Sequence, residues 1–104
     1  MQNAQRDASA DHVVELSGAL DVRAAADARL TVKHALDSGA GDLVVDLRAV
    51  TGIDATGLGL LVEAHRRAGR AGRTLVLRDA PPPVARLLAR TRLDRVLRVT
   101  RTAA

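Results

Sequence analysis

The sequence contains no cysteine, phenylalanine, tyrosine or tryptophan among its 104 residues. Without cysteine, the chain can form no disulfide, no thiolate metal site and no cysteine nucleophile. Without aromatic rings, it has no platform on which nucleic-acid bases or sugars could stack. The core must therefore be built from leucine, valine, isoleucine and alanine, within a hydrophobic content of 47%.

Long hydrophobic runs are also missing. No stretch approaches the roughly 18 apolar residues of a membrane span, and no charged segment followed by an apolar one opens the chain as a signal peptide would. We therefore expect a cytoplasmic protein without a membrane span. The length fits one domain, which we expect to be a monomer or a weak dimer.

Positive charge comes almost entirely from arginine, since Lys33 is the only lysine. The net charge is +4 and the isoelectric point is near 11.2. The arginines are spread along the chain and interleaved with aspartate, which is typical of a solvated surface, apart from one denser run from Arg66 to Arg73. Nucleotide or nucleic-acid binding through that run is a weaker alternative, because no groove-entering motif accompanies the charge.

Hydrophobic periodicity predicts strands that alternate with helices along the chain. Strands are predicted at 12–16, 43–47, 73–78 and 96–99, and helices at 23–38, from Thr56–Gly57 to about 69, and from the proline-rich loop at 79–83 to about Thr91. This order predicts a single α/β domain: a four- to five-stranded, mostly parallel or mixed sheet with amphipathic helices packed on it. We expect residues 1–11 to be a flexible N-terminus or weak edge strand, 12–99 the domain, and 100–104 a tail.

Two of these helices have a predicted apolar face. In the first, the apolar residues at helical spacing are Ala25, Ala28, Val32, Ala35 and Leu36. In the second, they are Leu58, Leu61, Val62 and His65, with Leu60 and Ala64 widening the stripe. Each stripe is wide enough to pack on a sheet.

Sequence patterns that mark catalysis are missing. The three histidines lie in different elements without metal-ligand spacing, and neither a Walker pattern nor a Gly-x-Ser-x-Gly elbow is present. Gly57-Leu58-Gly59 resembles the start of a dinucleotide fingerprint, but Val62 occupies the position of the third glycine. We therefore expect no enzyme activity, no metal and no cofactor.

The segment Asp54-Ala55-Thr56-Gly57 lies between a predicted buried strand and an amphipathic helix. In an α/β sheet this is a crevice at the carboxyl ends of the strands, where ligands and partners bind. Thr56 is at or next to the N-cap, so its hydroxyl would face solvent beside free backbone N–H groups. The simpler alternative is that Thr56 only caps the helix, because threonine is a favoured cap.

Three segments resemble the STAS domain, and within it the bacterial anti-sigma factor antagonists: LSGALD at 16–21, VVDLRAVTGIDATGLGLLVEAHRRA at 44–68, and RTLVLRDAPPPVARLLARTRLDRVLRV at 73–99. The resemblance implies a regulatory binding module without catalysis of its own. The unphosphorylated antagonist binds an anti-sigma factor, typically a GHKL-type serine/threonine kinase, and the sigma factor is released. The kinase, with ATP and Mg²⁺, phosphorylates the antagonist, and a PP2C-type phosphatase reverses this.

By this resemblance Thr56 is the phosphate acceptor, Asp54 is the acidic residue before it, and Asp21 lies in the neighbouring strand–helix loop. Gly57 and Gly59 would let a partner approach the turn. The implied partner-binding residues are Asp21, Asp54, Ala55, Thr56, Gly57, Leu58 and Gly59.

Two further points follow from the resemblance. Arg92 stands where the family often has a glycine that ends the third helix, so a positive φ there would strain the residue. The same fold also serves an alternative role, as a non-phosphorylated scaffold in a signalling assembly or a subunit of a lipid-transport complex.

Overall fold

The computed structural model describes residues 12–102, so the predicted N-terminal segment 1–11 lies outside the described residues. The strands are β1 (His12–Leu20), β2 (Leu43–Ile53), β3 (Leu75–Arg78) and β4 (Arg98–Thr100). The helices are α1 (Ala25–Asp37), α2 (Ala55–Arg70) and α3 (Pro82–Arg90), followed by a short 3-10 helix at Leu93–Arg95.

The four strands form one parallel sheet in the order β1-β2-β3-β4. This confirms the predicted single α/β domain with a mostly parallel sheet. β2 pairs with β3 only as far as Asp46 with Arg78, whereas β1 and β2 stay paired up to Leu20 with Ile53. The ends of β1 and β2 therefore extend beyond the other two strands.

The first two strands are longer than the sequence predicted. β1 continues past the predicted stop at Ser17–Gly18, because two shifts of register let it stay paired with β2. β2 continues from Leu47 to Ile53, although Arg48, Ala49 and Thr51 are exposed. Pairing between the two strands thus overrides the local turn signals.

The core lies on one face of the sheet, where residues of all three helices form one cluster with Leu43, Val45, Leu47, Leu75 and Leu77. In α1 all five residues of the predicted apolar face are buried, as expected. In α2 the predicted face is confirmed only in part, at Leu60, Leu61 and Ala64. The buried residues are Gly57, Leu60, Leu61, Ala64 and Ala68. Three of these are glycine or alanine, so α2 packs close to its neighbours and leaves the bulkier Leu58, Val62 and His65 half-buried at the rim.

Arg73 is buried, with 7% of its surface exposed. Its guanidinium donates to the backbone oxygens of Ala35 and Leu36 at 3.0 Å and of Gly41 at 2.7 Å. These contacts satisfy carbonyl groups at the C-terminal end of α1, where the helix dipole favours a cation. The run from Arg66 to Arg73 is therefore not one basic surface, which removes much of the support for nucleic-acid binding there.

The face of the sheet opposite the helices carries a buried carboxylate. Asp46, 6% exposed, accepts hydrogen bonds from the backbone N–H of Arg48 at 2.9 Å and from Nη2 of Arg78 at 3.1 Å. The hydrogen bond from the Arg48 backbone has the largest effect on the pKa of Asp46, and together with the bond from Arg78 it lowers that pKa below its ordinary value. Burial acts in the opposite direction and raises the pKa.

Arg92, which follows α3, has the strained backbone conformation expected from the sequence. Arg92 has a φ of 63°, in the left-handed region that glycine adopts more easily. The 3-10 helix then places Leu97 in the core, and β4 reaches Thr100, one residue past the predicted end of the domain. Thr102 in the predicted tail donates its backbone N–H to Asp79 at 2.7 Å.

Substituting Arg73 with methionine tests the buried guanidinium. The variant keeps the apolar stem but leaves several carbonyl oxygens at the end of α1 without a donor. We expect the free energy of unfolding to fall by about 2–4 kcal/mol. Urea unfolding followed by circular dichroism measures this, and Arg70→Met, which removes an exposed arginine, should cost less than about 0.5 kcal/mol. Equal losses in the two variants would contradict the role of Arg73.

Acid unfolding tests the environment of Asp46. The pKa of Asp46 is lower in the folded than in the unfolded chain, so its stabilising effect is complete above the unfolded pKa and disappears as the pH falls through the folded pKa. Asp46→Asn should destabilise the chain at neutral pH and should lose less further stability below about pH 4 than the wild type. Urea midpoints across this range decide the point, and parallel curves would contradict it.

Candidate functional site

The segment predicted to carry the function forms a direct junction between β2 and α2. β2 ends at Ile53 and α2 begins at Ala55, so Asp54 alone connects them. Its carboxylate accepts a hydrogen bond from the backbone N–H of Gly57 at 3.0 Å, and its carbonyl accepts one from Leu58 at 2.9 Å. Asp54 is therefore the N-cap of α2.

Because Asp54 caps the helix, the simpler alternative for Thr56 is wrong. Thr56 occupies the second position of α2 and is half-buried. Its hydroxyl makes no hydrogen bond to any other residue between 12 and 102. The backbone N–H groups of Ala55 and Thr56 belong to the first turn, where a helix has no acceptor of its own. The hydroxyl thus lies beside N–H groups that favour an anion.

A second turn adjoins this junction. Asp21 follows β1, and its carboxylate accepts hydrogen bonds from the backbone N–H groups of Arg23 at 3.0 Å and Ala24 at 3.1 Å, which organise the turn before α1. The backbone N–H of Asp54 donates to the carbonyl of Leu20 at 3.2 Å. Asp21 and Asp54 therefore follow neighbouring, paired strand ends. Within residues 12–102, neither carboxylate has an ion-pair partner.

The two glycines have different roles. A Cβ atom on Gly57 would lie 2.2 Å from the carbonyl oxygen of Leu20 and 2.7 Å from Cγ1 of Ile53. Gly57 is buried, so its lack of a side chain allows α2 to pack against β1, and any contact with a partner would be indirect. A Cβ atom on Gly59 would meet nothing within 4 Å, and Gly59 is exposed. Only Gly59 leaves open surface for a partner.

One apolar residue beside the site was not predicted from the sequence. Val22 lies in the turn after Asp21 and is 69% exposed. The sequence feature that could have identified Val22 is a branched apolar residue outside the apolar face of any predicted helix or strand. We call the exposed and half-buried residues of the two turns the junction surface: Asp21, Val22, Arg23, Ala24, Asp54, Ala55, Thr56, Leu58 and Gly59.

The junction surface carries two aspartates, Asp21 and Asp54, and one arginine, Arg23, so its formal charge is −1. The arginines of α2, Arg66, Arg67 and Arg70, lie at the opposite end of the helix, about 15 Å or more from Thr56 at 1.5 Å per residue. The part of the chain that the structure describes has no group of three or more metal-ligating side chains. Within it, no helix combines the length and hydropathy of a membrane-spanning segment. The site therefore combines the Thr56 hydroxyl with the exposed and half-buried residues of the junction surface.

Comparisons with known proteins agree with this geometry. Residues 3–99 match the family model described as Mlab, STAS domain. No curated protein matches the chain significantly in sequence.

Solved structures are also similar. A protein of Thermotoga maritima described as a candidate anti-sigma factor antagonist is 26% identical, with a TM-score of 0.74 over 85% of this chain and 78% of that one. The unphosphorylated anti-sigma factor antagonist SpoIIAA is 25% identical, with a TM-score of 0.65 over 84% and 76%. A STAS domain protein of Planctomyces limnophilus, 19% identical with a TM-score of 0.77 over 88% and 82%, shares the fold.

The same substitution at the two glycines should have opposite effects. Gly57→Ala places a methyl group against the Leu20 carbonyl, so α2 must shift, and we expect a loss of about 1–3 kcal/mol in the free energy of unfolding. Gly59→Ala meets no atom and should gain up to about 1 kcal/mol from helix propensity. Denaturant unfolding compares them. A neutral Gly57→Ala would show that α2 does not depend on this close packing.

Proposed function

Because this chain belongs to the STAS domain family, we propose that it is an anti-sigma factor antagonist regulated by phosphorylation of Thr56. In the unphosphorylated form it binds an anti-sigma factor that is a GHKL-type serine/threonine kinase, and the sigma factor is released. The kinase transfers the γ-phosphoryl group of ATP to the hydroxyl oxygen of Thr56. A PP2C-type phosphatase removes it.

The observation that carries this proposal is the hydrogen bonding at the start of α2. Asp54 already caps the helix, so the Thr56 hydroxyl is left without a structural task among the described residues. A hydroxyl that stabilises the fold would be costly to modify. This one can accept a phosphoryl group while the cap stays in place.

The effect of the modification follows from charge. A phosphate adds about −1.5 to −2 charges at Thr56. The first-turn N–H groups of α2 tolerate the anion, so the domain should stay folded. Asp54 and Asp21 form no ion pair within residues 12–102, Arg23 is the one arginine of the two turns, and the α2 arginines are at the far end of the helix. A partner packed on the junction surface would have to desolvate the dianion. We therefore expect weaker docking.

The proposed interface is the junction surface itself. Val22, Ala55 and Gly59 supply exposed apolar or small contacts around the hydroxyl. The domain, which we take to run from His12 to the end of β4 at Thr100, contributes binding and no catalysis. Its proposed place of action is the cytoplasm, where a sigma factor meets its regulators.

Phosphorylation by a GHKL-type anti-sigma kinase encoded in the same genome tests the proposal. Incubation with this kinase, ATP and Mg²⁺ should add one phosphate, and Thr56→Ala should accept none. Thr51→Ala, at an exposed threonine of β2, should be phosphorylated like the wild type. Mass spectrometry of the intact chain reads the result. Unchanged phosphorylation of Thr56→Ala would show that the acceptor is elsewhere.

The charged variant tests the switch separately. Thr56→Glu should bind the kinase at least about tenfold more weakly than the wild type, a change that corresponds to 1.4 kcal/mol. Thr51→Glu adds the same charge outside the junction surface and should bind nearly normally. Calorimetric titration measures both. If Thr56→Glu binds as tightly as the wild type, the switch mechanism is wrong.

A second candidate function keeps the fold and omits the switch. The family model that matches is described as Mlab, STAS domain, and not as an antagonist. The chain would then be a non-phosphorylated scaffold in a signalling assembly or a subunit of a lipid-transport complex. Mass measurement of the protein purified from its native cells separates the two. Absence of phosphate in every growth phase would favour the scaffold.

A further inference from the structure

High positive charge recurs near the end of the domain, in a stretch that the sequence did not single out. Residues 86–101 contain six arginines and one acidic residue, Asp94, a net charge of +5. The whole chain has a net charge of +4, so the remainder carries −1. The expected interleaving of arginine with aspartate does not hold here, because a single aspartate accompanies six arginines: Arg86, Arg90, Arg92, Arg95, Arg98 and Arg101.

These six arginines are free at the surface. Every one of them is exposed, and none takes part in an ion pair within residues 12–102. Arg86 and Arg90 are four residues apart on α3, where like charges repel. Arg92 is held at a φ of 63°. The stretch therefore carries uncompensated charge that a partner with negative charge would neutralise.

Part of this stretch forms an open edge of the sheet, since Arg98 lies in β4 and Arg101 directly follows it. β4 is the last strand in the sheet order and pairs only with β3 among the described residues. Its outer backbone N–H and C=O groups are available to another strand. Two exposed apolar residues lie among the arginines, Val96 at 55% and Val99 at 38% exposure. We call β4 with Val96 and the six arginines the basic edge.

We infer that the basic edge binds an acidic polypeptide segment that adds as a strand beside β4. Only a polypeptide can pair with both the N–H and the C=O groups of a strand edge. Side chains alternate along β4, with Arg98 and Thr100 on the face of Val76 and Arg78, and Val99 on the face of Leu77. A segment that alternates acidic and apolar residues fits this pattern. A second copy of this chain fits poorly, because its own basic edge would repel the first.

Fluorescence anisotropy of a dye-labelled ten-residue peptide of alternating glutamate and valine tests this inference. The chain has no aromatic residue, so it adds no fluorescence of its own. We expect saturable binding that weakens with salt. A peptide of equal charge with proline in place of valine cannot pair with the edge through those positions and should bind about tenfold more weakly. Equal binding of the two peptides would overturn strand addition.

Matched variants locate the site. Arg95→Ser with Arg98→Ser should weaken the glutamate–valine peptide by about tenfold, whereas Arg66→Ser with Arg70→Ser on α2 should change binding less than about twofold. Arg92→Gly removes one charge together with the strain, so it should unfold at higher denaturant yet bind more weakly. Equal effects of the two double variants, or no loss in Arg92→Gly, would show that the basic edge is not the site.

Other anionic partners are outcomes of the same assay. Unlabelled duplex DNA and vesicles of anionic phospholipid are added as competitors. If DNA or vesicles displace the labelled peptide at a lower concentration than unlabelled peptide does, the inference that the basic edge binds a polypeptide is wrong. Thr56→Glu should bind the peptide like the wild type, so failure of this inference and failure of the proposed phosphorylation switch are distinguishable.

Discussion

The close contact between the first turn of α2 and the end of β1 determines the geometry of the candidate site. Because position 57 has no side chain, the helix lies against the carbonyl of Leu20, and β2 passes into α2 through Asp54 alone. That short connection makes Asp54 the cap and puts Thr56 two positions past the N-cap, so its hydroxyl is not used in capping. The same contact brings the turn of Asp21 beside the junction. Packing thus leaves a hydroxyl free next to two carboxylates.

Much of the architecture could be predicted from hydrophobic periodicity, since the order of elements and the buried face of α1 depend on local spacing. The ends of β1 and β2 could not, because Ser17–Gly18 is a turn signal that pairing with a neighbouring strand overrides. The face of α2 was predicted only in part: Leu60, Leu61 and Ala64 are buried as expected, whereas the burial of Gly57 and Ala68 was not foreseen. Large apolar residues mark a stripe in the sequence, but a helix that must pack closely buries its small residues.

The candidate site shows the same division. The segment 54–59 could be found from its position between a strand and a helix, and the resemblance assigned Thr56. From the sequence, either Asp54 or Thr56 could accept the hydrogen bond that caps α2. In the structure Asp54 accepts it. Arg73 shows the converse. In the sequence it belongs to a basic run, whereas in the fold it serves the carbonyl groups of another helix, because those groups are brought to it only by tertiary structure. Charge along a chain is therefore a weak guide to charge on a surface, and the stretch in which all arginines are exposed is 86–101.

The central claim is that a phosphate on Thr56 controls docking without unfolding the domain. The most direct measurement is the dissociation constant of the complex with the anti-sigma kinase for the wild-type chain before and after complete phosphorylation, together with the circular dichroism of both forms. The account predicts that the phosphorylated chain keeps its helical signal and binds at least about tenfold more weakly. Equal affinity of the two forms, or loss of the fold on phosphorylation, would contradict it.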